Sequence, residues 1–268
     1  MVNTTNQRTL DELLVQLKNI VGIWHRGTRQ GNDGNQGNTL EDLLGVPENN
    51  LSIPDFGVFE IKTQKIESGS LVTLFHKDPN PRPFGPLLLS LGWKHQQAGS
   101  KYPSNELSFR STTPSNRFTN RGFSIRLTDQ QIQLIFDPHK VSLDDQDSTG
   151  AYKTLRDWVD DVEKRSLHYS KVFPIFWDRL EFEEKCREKL DNTLFALCKT
   201  RTVNGAKEFL FSEAYILQGF NRERLPELFA QGHMYIDFDA RTGHNHGTKL
   251  RVRTEKIRDL FDYSERIV

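Results

Sequence analysis

Three charged residues on one short segment set the first chemical question. In Pro54-Asp55-Phe56-Gly57-Val58-Phe59-Glu60-Ile61-Lys62-Thr63, the side chains of Phe59, Ile61 and Thr63 share one parity and those of Val58, Glu60 and Lys62 the other. That is the pattern of a strand packed on one side. Successive same-side residues of a strand lie about 6.5 to 7 Å apart, so Glu60 and Lys62 would flank a space the size of a phosphate group. Asp55, at the start of the strand, can bend towards the same spot. Two carboxylates this close repel unless a cation sits between them. Asp55, Glu60, the Ile61 carbonyl, water and a phosphate oxygen form a hard-oxygen set that suits Mg²⁺. Such an ion would lower the pKa of a bound water, while Lys62 would orient that water or stabilise charge on a pentavalent phosphorus. The bare D-x4-E-x-K pattern is loose, and a surface Glu/Lys pair on an edge strand accounts for it too.

Net charge says nothing about a partner, since 36 Lys and Arg balance 36 Asp and Glu. Its distribution says more. No acid lies between Glu106 and Asp129, where Arg110, Arg117, Arg121 and Arg126 stand among Ser, Thr, Asn and Phe. None lies between Arg241 and Arg253, a stretch that holds His244, His246, Lys249 and Arg251. The balancing acids gather in 144–163 and 181–191. Segregated charge of this kind can present a basic surface to nucleic acid in a protein of zero net charge, although two solvated Arg-rich hairpins fit the composition equally. His244-x-His246 has no third nearby ligand, which argues against zinc. Cys186 and Cys198 are too few for a disulfide framework and are expected to be inert thiols.

The elements that must position these groups are those of a folded α/β or α+β chain. Its 268 residues are 35% hydrophobic, 27% charged and 10% aromatic, with 18 Phe, which excludes disorder. No apolar run reaches the roughly 20 residues of a membrane span, and the first residues lack the apolar core of a secretory signal; a cytoplasmic protein with no membrane partner is expected. Leu10, Leu13, Leu14, Leu17, Ile20 and Val21 recur at helical spacing behind a Thr9/Glu12 capping box. A second helix is predicted at Thr39 to Leu44, capped by Thr39 and Asp42, with Leu40, Leu43 and Leu44 buried and Gly45 ending it. Further strands are predicted at 71–75, 122–127, 132–136, 193–200, 208–211, 234–238 and 248–252, and helices at 152–164, 179–189 and 222–231. Together they give a central mixed β-sheet flanked by helices.

The segments Gly37-Asn38-Thr39-Leu40-Glu41-Asp42-Leu43-Leu44-Gly45, Pro54-Asp55-Phe56 and Glu60-Ile61-Lys62-Thr63 resemble the active-site region of the MutH-like branch of PD-(D/E)XK nucleases. Within that branch the likeness is greatest to the MvaI/BcnI restriction endonucleases. It continues into Leu71 to Phe75 with the Pro/Arg-rich loop beyond, and returns at His244-Asn245-His246-Gly247-Thr248. The resemblance implies a restriction-endonuclease-like core in one domain, 1–268, allowing two lobes around a DNA cleft. The catalytic lobe is expected mainly in 1–80 and 120–200, and the DNA-recognition lobe mainly in 81–119 and 205–268.

By the same resemblance Asp55 and Glu60 are metal-binding carboxylates, Lys62 is the catalytic lysine, and Glu41 is an additional acid that approaches the metal, often through water. An acid near a helix N-terminus is also favoured with no function at all. His246 is similar to a histidine that reaches the centre of the recognition site, and Arg251 to an arginine on the adjoining strand. The two basic stretches would line the walls of the cleft, with His244, Arg241, Lys249 and Arg110 contributing to DNA binding and Arg117 and Arg121 mainly holding phosphates. Where the family commonly carries a guanine-reading Arg this chain has Asp239, with Arg241 two residues later, so base recognition is expected to differ. The implied activity is Mg²⁺-dependent cleavage of double-stranded DNA by a monomer, one strand at a time, in a prokaryote where a cognate DNA methyltransferase is a genetic partner. A MutH-like strand-nicking repair nuclease is the nearest alternative. A DNA-binding module that does not cut is the rival from another class, and the intact set of Glu41, Asp55, Glu60 and Lys62 speaks against it.

Overall fold

The computed structural model describes residues 9–31, 34–47, 54–66, 69, 71–79, 84–165 and 175–268. In chain order the elements are α1 (Leu10–Ile20), β1 (Trp24–Arg26), α2 (Asn35–Leu43), β2 (Glu60–Lys65), β3 (Val72–His76), α3 (Phe84–Leu91), β4 (Trp93–Lys94), β5 (Leu107–Pro114), β6 (Arg121–Leu127) and β7 (Gln131–Val141). There follow α4 (Leu155–Lys164), β8 (Ile175–Asp178), α5 (Arg179–Leu190), β9 (Asn192–Val203), β10 (Ala206–Phe220), α6 (Arg224–Ala230), β11 (Met234–Arg241), β12 (His244–Val252), a 3₁₀ helix (Thr254–Leu260) and β13 (Phe261–Arg266). The fold is mixed α+β with several sheets. It comprises two compact units: Met1–Leu74 with Glu184–Arg224 and Val252–Val268, and Phe75–Glu183 with Leu225–Arg251. This division differs from the expected lobes, because 120–183 falls in the second unit and 205–224 and 252–268 in the first.

The first unit is built on a mixed sheet of order β1-β10-β9-β2, with β13 also pairing with β10. The β2–β9 pair is parallel and the others are antiparallel. Its spine is the long β9–β10 hairpin, whose two-residue turn Asn204-Gly205 has positive φ at both positions (48° and 77°), the geometry that matches strand twist. The hairpin is longer than the predicted 193–200 and 208–211. Helix α1 forms as expected: Thr9 and Glu12 make both bonds of the capping box, worth about 1 kcal/mol. Leu13, Leu17 and Ile20 are buried against Leu40, Leu44, Ile61, Leu194, Phe209 and Phe211.

Helix α2 begins four residues before the predicted start, and Thr39 does not cap it. Thr39 lies inside the helix, where its hydroxyl donates to the Asn35 carbonyl at 2.6 Å and accepts from the Thr28 amide at 3.2 Å. Asn35 in turn accepts from the Arg29 amide at 3.1 Å, so these two buried polar groups fasten the Gly-rich loop before the helix. Leu40 and Leu44 are buried as expected, while Leu43 is exposed.

The second unit holds the strand order β12-β11-β5-β4 and a three-stranded sheet β6-β7-β8. Its core is aromatic. Phe109 packs against Trp93 at a tilt and against Phe123 and Phe238 edge to face, with ring centroids 5.0 to 5.5 Å apart, an arrangement worth roughly 0.5 to 1.5 kcal/mol per pair beyond burial. Helix α4 adds Leu155, Trp158 and Val162, its one apolar stripe. Among the described residues no helix is long and apolar enough to cross a membrane.

Candidate active site

The chemistry-bearing segment folds as a turn followed by a strand rather than as one strand from Phe56. Phe56 and Phe59 exchange backbone hydrogen bonds of 2.9 and 2.8 Å, and β2 starts only at Glu60. The turn folds Asp55 back onto the strand, where its Oδ2 accepts the Ile61 amide at 2.8 Å. Glu60 and Lys62 share a face of β2, as their parity requires, but they do not flank an open gap. The Lys62 ammonium donates to Glu60 Oε1 at 2.7 Å, because adjacent opposite charges on a half-buried face gain more from contact than from separate solvation. Glu60 Oε2 is buried and accepts no hydrogen bond among the described residues; Lys189, from the last turn of α5, approaches it at 3.6 Å.

Glu41 is delivered by α2. Gly37, one turn earlier, sits so close to β2 that a Cβ there would lie 3.3 Å from Thr63 Oγ1 and 3.9 Å from Glu41 Oε1, so the missing side chain is what lets the helix approach the strand. The electrostatics fit carboxylates crowded together. Burial, and then the charge of Asp55, raises the Glu41 pKa above its usual value, while Lys62 and Arg29 oppose the rise. Burial, and then Glu60, raises Asp55, against the Ile61 amide, Lys62 and Lys189. Glu41, Asp55, Glu60 and Lys62 are therefore electrostatically coupled within the first unit, with Lys189 as a fifth member. Among the described residues no group of three His, Cys, Asp or Glu side chains could hold a metal by itself. What this site offers is the two neighbouring carboxylates of Asp55 and Glu60.

The remaining site residues predicted from sequence lie in the second unit, and several share one sheet face. On β11, Asp237, Asp239 and Arg241 alternate with buried Phe238 and Ala240. Opposite them, Asp239 pairs in register with Arg110 and Asp237 with Thr112 of β5, and Lys249 and Arg251 stand on β12. The face is an acid–base lattice. Arg110 meets Asp239 at 2.9 Å and Lys249 meets it at 3.8 Å; Arg251 donates to Asp237 at 3.1 Å and Thr112 does so at 2.7 Å. Arg110, Ser111, Thr112, Asp237, Phe238 and Asp239 line an open hollow of about 310 Å³. Arg241 is held by Glu106 at 3.0 Å and lies 4.4 Å over the Tyr102 ring. His244 and His246 are exposed and pack edge to face at 4.3 Å; they lie in strand β12, which begins four residues before the predicted 248–252.

Comparison with known proteins decides the family. The model of the MvaI/BcnI restriction endonuclease family matches residues 14–261. The chain belongs to this family. Among solved structures it is similar to restriction endonuclease MvaI in complex with cognate DNA substrate, at 24% identity over 96% of this chain and 98% of that one, with a TM-score of 0.72. It is also similar to restriction endonuclease MvaI in the absence of DNA, at 24% identity over the full length of both and a TM-score of 0.51. No curated protein matches it significantly. Membership makes the chain a DNA nuclease of the restriction endonuclease kind, and the structural likeness bears on the fold.

Two residues stand apart from the expectations drawn from the sequence. Arg121 is not available to a phosphate: its side chain is 8% exposed, it is paired to the fully buried Asp147 at 2.6 Å, and its guanidinium lies 4.4 and 4.7 Å over the rings of Trp93 and Trp158. It is a core ion pair. Arg117 and Arg126 of the same basic stretch are exposed and line a cavity of about 490 Å³ with Phe118, Phe229 and Ala230. Lys189, which sequence reasoning missed, comes to Glu60 only because the chain leaving α5 enters β9 parallel to β2. Of the Pro/Arg-rich loop after β3, residues 80–83 lie outside the described residues.

Proposed function

We propose that the chain is a Mg²⁺-dependent, site-specific endonuclease that hydrolyses phosphodiester bonds of double-stranded DNA to a 5′-phosphate and a 3′-hydroxyl, acting as a monomer and cutting one strand at a time. The observation that carries this reading is the grouping of Asp55, Glu60, Lys62 and Glu41 around the start of β2. The donor set fits a hard divalent cation: Glu60 has a buried oxygen that accepts no hydrogen bond among the described residues, and Asp55 and Glu41 are raised by burial and by neighbouring negative charge, strain that a cation relieves. Asp55, Glu60 and the Ile61 carbonyl would hold Mg²⁺, and Glu41 would approach it through water. When bound, the ion supplies Lewis acidity and a water of lowered pKa. Lys62 then orients the attacking water and steadies the charge that develops on the phosphorus oxygens. In the second unit, Arg251, His246, His244, Lys249, Arg110 and Arg241 are the base-reading and DNA-holding groups, and Arg117 contacts phosphate. Asp239 can only accept a hydrogen bond from a base edge, as from a cytosine amino group, whereas an arginine can hold guanine bidentately. A cognate methyltransferase would protect the host's own sites. The test is supercoiled plasmid incubated with the protein in Mg²⁺, in Mg²⁺ with excess EDTA, and with the Lys62→Ala variant. Nicked circles that precede linear product in Mg²⁺ alone support the reading. Cleavage in EDTA, or at an undiminished rate by Lys62→Ala, overturns it.

A further inference from the structure

The segment His244-Asn245-His246-Gly247 is held by two carboxylates, one at each end. At the first end the backbone ladder stops short. In the β11–β12 turn, the Thr242 amide donates to the Leu107 carbonyl at 2.9 Å and the Thr242 hydroxyl accepts the Leu107 amide at 2.9 Å. Strand β5 begins at Leu107, and the next amide of the turn, that of Gly243, donates instead to Glu106 Oε1 at 3.2 Å. A side-chain oxygen takes the place of the next ladder carbonyl. At the other end the Thr248 amide donates to Asp78 Oδ1 at 3.0 Å, and the Thr248 carbonyl accepts the Lys77 amide at 3.0 Å. Between the two, the Gly247 amide donates to Asn245 Oδ1 at 2.9 Å.

The first of these clamps is costly. The Glu106 side chain is only 5% exposed, and a buried carboxylate needs a partner. Arg241 supplies it, donating to the same oxygen at 3.0 Å while lying 4.4 Å over the Tyr102 ring. Burial alone would raise the Glu106 pKa, yet the hydrogen bonds from Arg241 and Gly243 hold it below its usual value, so the acceptor is ionised and its bonds are charge-assisted. Closing the turn does not require this, since a two-residue hairpin closes on its own backbone. What the carboxylates add is a fixed place for a segment that has little else to fix it. His244, Asn245 and His246 are exposed, and Gly247 has a φ of 85°, a conformation that favours glycine. Reading a base edge demands such a fixed place, because a recognition group must be held to within about 0.5 Å.

We propose that Glu106 and Asp78 are positioning residues for base recognition, which clamp the backbone on either side of 244–247 so that His244 and His246 meet base edges in one arrangement. The proposal rests on the role given to the two histidines under Proposed function. Clamps that only stabilised the fold would lower the melting temperature when broken and slow the cleavage of every sequence alike.

The test gives wild type, His244→Ala, His246→Ala, Glu106→Ala and Asp78→Ala a duplex library randomised across a cleaved site, in Mg²⁺, and sequences the cleaved ends. Glu106→Ala and Asp78→Ala should each lose about tenfold in discrimination at the base pairs where the histidine variants lose theirs, and match wild type at the others. Glu106→Gln and Asp78→Asn, which keep an oxygen acceptor, should restore most of the loss. Glu106→Asp keeps the charge but is one methylene shorter, so it should relax the same base pairs and decides the matter should Glu106→Ala fail to fold. The proposal is overturned if Glu106 or Asp78 can be replaced with those base pairs as selective as in wild type, or if discrimination falls evenly across the site. Histidine variants with unchanged preferences would instead show that the base-reading role is wrong, and the clamp with it.

Discussion

Replacing Arg121 by Ala should unfold the protein more easily and leave its grip on DNA unchanged. The side chain is enclosed by two indole rings and bound to a fully buried carboxylate, so its removal takes away an ion pair and two cation–π contacts and orphans Asp147. Breaking a buried pair from one side costs about 3 to 5 kcal/mol. The low end applies here, because Asp147 keeps the Thr149 amide and hydroxyl and the Tyr152 amide at 2.7 to 3.0 Å. About 3 kcal/mol corresponds to a fall of roughly 10 °C in melting temperature, and urea denaturation should place the loss in the midpoint. Arg121→Met/Asp147→Asn should lose less than Arg121→Ala, since the cost lies mainly in the uncompensated charge. The pH dependence has a fixed sign. Burial alone would raise the Asp147 carboxyl, but hydrogen bonds from Thr149, then the Arg121 charge, hold it below its usual value. A depressed carboxylate contributes stability above its unfolded pKa and loses it as pH falls through the folded one. The wild-type advantage over Asp147→Asn should therefore shrink only in strong acid. Fluorescence anisotropy with DNA at several salt concentrations supplies the second readout: Arg121→Ala should keep the wild-type salt slope, while exposed Arg117→Ala lowers it by about one. An Arg121→Ala protein with an unchanged melting temperature and a shallower salt slope would refute the core assignment and reinstate a phosphate contact.

Lys62→Ala and Asp55→Ala should each abolish cleavage in a plasmid assay while circular dichroism stays native, a loss of about 2.7 to 4 kcal/mol or more of transition-state stabilisation. Ca²⁺ should support DNA binding in a gel shift without cleavage, since its loose coordination accepts the carboxylates without organising the attacking water; equal cleavage rates in Ca²⁺ and Mg²⁺ would count against the metal mechanism. Because burial and neighbouring carboxylates raise Asp55 and Glu41, and both must be ionised to serve a cation, cleavage should fall on acidification while ordinary carboxylates are still charged. Higher Mg²⁺ should move that limb to lower pH, and a limb insensitive to Mg²⁺ would contradict the assignment. Arg251→Ala should cost about 1 to 3 kcal/mol and relax preference at one base pair on a randomised-site library, and His246→Ala should chiefly alter preference at the centre of the site.

What the sequence disclosed follows the range over which each feature is determined. Asp55, Glu60 and Lys62 were legible because a turn and a strand bring them together within a few residues, and Glu41 because a short helix precedes them. The strand start at Glu60 was not, since alternation runs unbroken through Phe56 to Thr63 and only the backbone exchange between Phe56 and Phe59 reveals a turn. The length of the β9–β10 hairpin was written in Asn204-Gly205, a turn signal between two apolar runs. Lys189 left no local trace. Its charge resembles every other on α5, and only the parallel register of β9 with β2 gives it Glu60 as a neighbour.

Arg121 shows that local composition can mislead. The surrounding Ser, Thr and Asn suggest a solvated, phosphate-facing hairpin, yet every residue from Arg121 to Ile125 is buried. Arg117 and Arg126 escape burial for local reasons: the first lies in the turn after β5, and the second is the first exposed position of β6. A basic stretch is thus a mixture, with Arg121 placed by the core and Arg110, Arg117 and Arg126 left to the surface. The charge free to meet DNA is therefore smaller than the sequence count. The salt dependence of binding should be fitted by the exposed arginines alone, and a slope that requires Arg121 as well would mean that the core ion pair opens when DNA binds.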